Sequence, residues 1–209
     1  MIKQNLFIQQ TYIALQNVLS DAEMLSLLGK FSYNEKKLKE ALNSLLQLKV
    51  LRQMHYEAMG QSRLATAQLK QARNTLLAIF RIHQDTAKLA YKREADYHDH
   101  LNICGKRRKA TADWLADAER FYELVPAAMM DKYNVPLEEL TQTKQMVQQV
   151  MQLLATQALA KARAQDLTQQ KQQQMEKMEL WMRQFYKVAK VALSDSPQQM
   201  EALGIVVPS

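Results

Sequence analysis

The stretch EADYHDHLNIC gathers Asp96, His98, Asp99, His100 and Cys104, the densest set of metal-ligating and nucleophilic side chains in the chain. On a helix, Asp96, His100 and Cys104 follow at i, i+4 and i+8 and share one face, and a His and a Cys one turn apart can chelate a single ion. A closed site needs a fourth ligand from elsewhere, and the sequence points to none. The same residues suit a charged helix end before a turn, which is the commoner use. We therefore assign no metal and no cofactor, and keep Asp96, His100 and Cys104 as the candidate trio.

Other catalytic arrangements fare no better. A di-iron carboxylate bundle requires Glu-x-x-His on two helices, but Glu94 stands four residues before His98 and no other His follows a Glu at the right spacing. Cys104 has His100 one turn earlier, yet a thiolate–imidazole pair also needs an orienting group and an oxyanion pocket. The four glycines stand alone, so there is no phosphate-cradling loop. His55 and His83 are solitary, and His83 falls on an apolar stripe where a hydrogen-bonded core histidine is expected. No enzyme is expected.

The sharpest charge feature is Lys106-Arg107-Arg108-Lys109, directly after Gly105. Four consecutive cations could neutralise phosphates of nucleic acid or of an anionic lipid surface, with Lys88, Lys92 and Arg93 extending the patch. Such runs are also ordinary solvated helix starts, and no interleaved aromatics suggest base stacking. The formal charge of +7 attracts anions non-specifically without forming a tail.

The elements that would position these groups are helical. Four Gly and four Pro leave too few turn-formers for a strand-rich fold, and the rest is dominated by Ala, Leu, Gln, Lys, Glu and Met. The expected class is all-α, a single domain over residues 1–209. One cysteine makes no internal disulfide, the first residues lack a signal-peptide core, and every apolar run is broken well short of the roughly 20 residues of a membrane span. A cytoplasmic protein without a transmembrane segment is expected.

Boundaries follow from caps and breakers. Ser20 with Glu23 and Ser32 with Glu35 read as capping boxes, and Gly29 as the left-handed residue closing the helix between them. Asn134 and Pro136 open the last long helix, and Ser196-Pro197 a short final one that Gly204 closes.

TAKLAY at Thr86–Tyr91 is echoed by VAKVAL at Val188–Leu193, 102 residues later. Aligning residues 30–91 with 132–193 gives 12 identities in 62 positions. Leu76, Ile79, His83 and Ala87 fall on Met178, Trp181, Phe185 and Ala189, an apolar stripe with the spacing of a buried helix face. Upstream, Tyr12-Ile13-Ala14-Leu15 resembles Phe121-Tyr122-Glu123-Leu124. These matches predict an internal repeat, with units at about residues 12–104 and 113–205. Each unit is either a helical hairpin, as Gly60 favours in the first copy, or one long helix, as the turn-free AKARAQDLTQQKQQQ favours in the second. Long helices in an elongated, coiled-coil-like bundle are the preferred form. Met129-Met130 and Met175, Met178 and Met182 suit either a partner surface or a core, the core being the commoner use. Tyr12, Phe121, Trp181 and Phe185 read as bundle anchors.

DSPQQMEALGI, with WMRQFYKVAKVAL before it, resembles the close of uncharacterised bacterial helical proteins that end in a Pro-Gln-hydrophobic-Glu-x-Leu-Gly-Ile element. The resemblance covers residues 181–205, departs from the pattern at Gln199-Met200, and implies a bacterial cytosolic helical repeat without implying an activity. The expected function is a scaffold or adaptor that binds a protein partner or a second copy of itself. The alternative is nucleic-acid or anionic-membrane binding through Lys106–Lys109.

Overall fold

The computed structural model describes residues 2–103 and 110–205. Among them every regular element is an α-helix: α1 (Ile2–Ser20), α2 (Ala22–Gly29), α3 (Glu35–Ala90), α4 (Ala95–His100), α5 (Thr111–Leu124), α6 (Ala127–Asp131), α7 (Leu137–Ala192) and α8 (Pro197–Ala202). The choice between hairpin and long helix is decided: α3 and α7 are each one continuous helix of 56 residues. Gly60 lies within α3 and makes no turn. Its neighbours Glu57, Ala58, Met59, Gln61, Arg63 and Leu64 are good helix formers, which outvote one glycine.

Several starts and stops lie a residue or two from the positions the sequence suggests. Asp21, not Ser20, caps α2, its carboxylate accepting from the backbone N–H of Glu23 and Met24. Asn34, not Ser32, caps α3 by accepting from the N–H of Lys37. Gly29 stays in the last turn of α2, and Ser32 takes the left-handed conformation instead (φ 67°). Asn134 is likewise left-handed (φ 60°) rather than a cap, and Pro136 supplies the carbonyl that receives the Leu140 N–H.

Four closing turns share one hydrogen-bond pattern, in which an N–H returns to the carbonyl five residues back: Tyr33 to Leu28, Ile103 to His98, Val135 to Met130 and Ile205 to Met200. This is the geometry of a Schellman stop, with Ser32, Asn102, Asn134 and Gly204 as its left-handed residues. The stops pair at a spacing of 102 (134 minus 32; 204 minus 102). So do the bounds of α3 and α7 (137 minus 35; 192 minus 90) and those of α4 and α8 (197 minus 95; 202 minus 100).

The chain divides into two compact units, one of Met1–Ala58 with Arg163–Ser209, the other of Met59–Ala162. In the first, Leu15 and Val18 of α1, Leu28 of α2, Leu38, Leu45 and Leu48 of α3, and Met178, Met182 and Phe185 of α7 form the core. Tyr33, Trp181 and Phe185 pack ring to ring, with centroids 5.4–5.6 Å apart. In the second, Leu76 and Phe80 of α3, Trp114, Phe121 and Tyr122 of α5, and Leu140, Val147 and Val150 of α7 do so. No described helix is long and apolar enough to cross a membrane.

Burial differs between the two upstream segments: Ile13 is 47 % exposed whereas Tyr122 is buried. Buried Ile8, Thr11, Ala14 and Leu15 on α1 and buried Leu115, Ala118, Phe121 and Tyr122 on α5 share a spacing of 107 (115 minus 8).

Candidate interaction surface and a buried polar network

In the first unit α3 buries Leu38, Ala41, Leu45 and Leu48 and turns Leu46, Val50 and Met54 outward. These three follow at i, i+4 and i+8, so they stack along one exposed stripe. They are 42 %, 59 % and 39 % exposed. Asn43, Leu46, Gln47, Val50 and Leu51 line a shallow cleft along this stripe. Scattered exposed apolar residues are normal; these three are contiguous along one helix. The residues 102 positions on, Gln148, Gln152 and Thr156, are polar and exposed on the same face of α7. Two 56-residue helices with matching buried positions therefore differ here, so helix packing within a unit does not dictate an apolar stripe.

The second unit differs from the first in its core. His83 is fully buried, its Nδ1 2.9 Å from the Tyr122 hydroxyl and its Nε2 3.0 Å from Glu139 Oε1. A carboxylate only accepts, so Nε2 carries the proton donated to Glu139, and in the neutral ring Nδ1 accepts from Tyr122. Thr143 Oγ1 lies within hydrogen-bond reach of both the Tyr122 hydroxyl and the Glu139 backbone carbonyl, the latter at 2.8 Å, and its one proton serves one of them at a time. Burial pushes the Tyr122 phenol well above its ordinary range, so it stays protonated and able to donate. In the first unit Phe185 and Ala41 stand 102 residues from His83 and Thr143, Leu15 stands 107 from Tyr122, and all three are buried. An apolar core thus serves where the second unit uses a polar one. Both nitrogens of His83 are spent within the protein, so the imidazole–carboxylate pair holds α3, α5 and α7 together rather than offering a base to a substrate.

The residues singled out in the sequence are not brought together. Asp96 and His100 are exposed on the short α4, and Cys104 lies outside the described residues. Within the described residues no three His, Cys, Asp or Glu side chains converge as a metal site. His98 turns inward, its Nε2 2.8 Å from the Tyr91 carbonyl. Lys106, Arg107, Arg108 and Lys109 also lie outside the described residues. Of the cations beside them, Lys92 and Arg93 are exposed and Lys88 pairs with Asp85 at 3.2 Å. Met175, Met178 and Met182 are core residues, as is Met130. His55 is half-buried with an unpartnered Nδ1, and burial together with the Lys171 charge holds its pKa below the usual imidazole range.

Sequence reasoning missed Leu46, Val50 and Met54 because they sit in or just after LNSLLQLKVL, which is apolar on nearly every face. The signal that finds them is comparison across the 102-residue spacing, which sets them against Gln148, Gln152 and Thr156. Comparisons with protein families, with curated proteins and with solved structures find no match to this chain.

Proposed function

We propose that this protein is a non-enzymatic helical scaffold that docks a protein on the exposed face of α3, and that its two long helices descend from duplication of a unit of about 100 residues. The observation that carries the docking is the apolar row of Leu46, Val50 and Met54, set where α7 has Gln148, Gln152 and Thr156. Apolar side chains kept in water gain nothing for the fold, whereas covering them by a partner stabilises the complex. The paired Schellman stops and equal helix lengths support the duplication. After duplication, one copy is free to acquire a binding face while the other stays solvated. A single cysteine fits a cytoplasmic setting.

The test places a photoreactive amino acid at Gln47, beside the stripe, and in parallel at Gln149, its counterpart on α7. Irradiation in cells that make the protein should give a discrete adduct from position 47 and none from 149. Equal labelling, or no adduct from 47, would overturn the docking.

A further inference from the structure

The exposed face of α3 carries more than an apolar row, and what surrounds that row specifies its occupant. Lys39, Asn43, Leu46, Val50, Gln53 and Glu57 are all exposed and follow one another at intervals of four, three, four, three and four. That is the spacing of a heptad seam, in which two positions of every seven face a partner helix. The seam is cationic at its start, apolar in its middle and anionic at its end.

We propose that this seam pairs with the same seam of a second copy, running antiparallel, to form a closed twofold dimer; the inference rests on the docking proposed for α3. An antiparallel two-stranded seam packs each residue against one whose number adds with its own to a constant. With that constant at 96, Leu46 meets Val50 of the second copy, Asn43 meets Gln53, and Lys39 meets Glu57. Apolar meets apolar, amide meets amide, and cation meets anion, each twice by symmetry. A parallel pairing would oppose Lys39 to Lys39 and Glu57 to Glu57, so charge selects the antiparallel arrangement. The partners these ends hold within one chain are exchangeable surface contacts: Lys39 pairs with Glu35 at 2.5 Å, and Glu57 accepts from Gln53 at 2.7 Å. The matching face of α7 runs Thr141, Gln145, Gln148, Gln152, Ala155, Leu159, with neither the apolar centre nor the charged ends. Each chain therefore offers one seam, and assembly stops at two.

Sedimentation of the purified full-length protein from about 1 μM to 1 mM tests this. Wild type should show a reversible monomer–dimer equilibrium, and Val50→Glu should be monomeric with unchanged circular dichroism. Lys39→Glu or Glu57→Lys alone turns two attractive pairs into two repulsive ones and should weaken the dimer by about tenfold. Mixing the two variants in equal amounts restores both pairs as opposite charges, and dimer should return. A monomer throughout the range, a dimer indifferent to the charge changes, or no recovery on mixing would overturn the proposal. If the protein is monomeric yet position 47 crosslinks to another protein, docking stands and the second copy is refuted; if neither occurs, both fall.

Discussion

Replacing His83 and Tyr122 with phenylalanine, singly and together, tests whether the buried polar network is a coupled structure rather than two independent contacts. Tyr122→Phe removes the hydroxyl 2.9 Å from Nδ1 and leaves that nitrogen without a partner in a fully buried site. An orphaned buried polar atom costs about 1–3 kcal/mol. His83→Phe keeps an aromatic ring where α7 has Phe185. It leaves Tyr122 with Thr143 as its remaining partner and returns Glu139, whose side chain is 48 % exposed, largely to water. We expect about 1–2 kcal/mol for that change, most of it from the phenol. In the double variant neither orphan exists, and the cost falls to that of one net hydrogen bond, about 1 kcal/mol. The singles should therefore sum to more than the double by about 1–4 kcal/mol. Urea unfolding in a Trp181→Phe background reads the second unit through Trp114, which stacks near Phe80 in the same aromatic cluster. Effects that add within about 0.5 kcal/mol would refute the coupling. A double variant costing as much as both singles would show that the site needs its polar groups.

Three further outcomes are expected. Gly60→Ala should stabilise the protein by about 0.5–1 kcal/mol, because Gly60 is helical and a Cβ there meets nothing within 4 Å; destabilisation in urea melts would show a bend or close contact at that position. Ser32→Gly should gain about 0.5–1 kcal/mol by relieving a left-handed serine, and a loss would mean that its side chain is needed at the stop. His55 has its pKa depressed in the folded state, so the unfolded chain takes up the proton first as pH falls. The stability it contributes is complete above the ordinary imidazole pKa and is lost as pH falls through the lower folded value. Melts read through Trp181 should weaken on acidification there, and His55→Gln should flatten that dependence; an unchanged slope would count against it.

The helical class was legible because composition alone excludes strands, and His83 was legible as a core residue because it occupies a stripe position matched by Phe185. Which of two neighbouring polar residues caps a helix was not. Ser20 and Asp21, like Ser32 and Asn34, all offer oxygens, and only the direction of the preceding chain selects one. Gly60 misled because a lone glycine costs a helix only about 1 kcal/mol, too little to break one held by packing along its length. The partners of His83 were beyond reach, since Tyr122 and Glu139 lie 39 and 56 residues away and no local pattern joins them. The α3 stripe was hidden for the opposite reason: Leu45, Leu46, Leu48, Val50 and Leu51 are all apolar, and periodicity cannot say which face is covered.

That α3 and α7 each contribute to both compact units bears on the order in which the molecule can be completed. Residues 59–162 are contiguous, so the unit they form needs only its own chain. The other unit joins residues 1–58 to residues 163–209, and its apolar faces must wait until the whole intervening stretch has been synthesised. During synthesis residues 1–58 therefore emerge before residues 163–209, with which they share a core. Leu15, Leu28, Leu38 and Leu45 gain their contacts with Met178, Met182 and Phe185 only once residues 163–209 have been made, so this core closes later than that of the contiguous unit can.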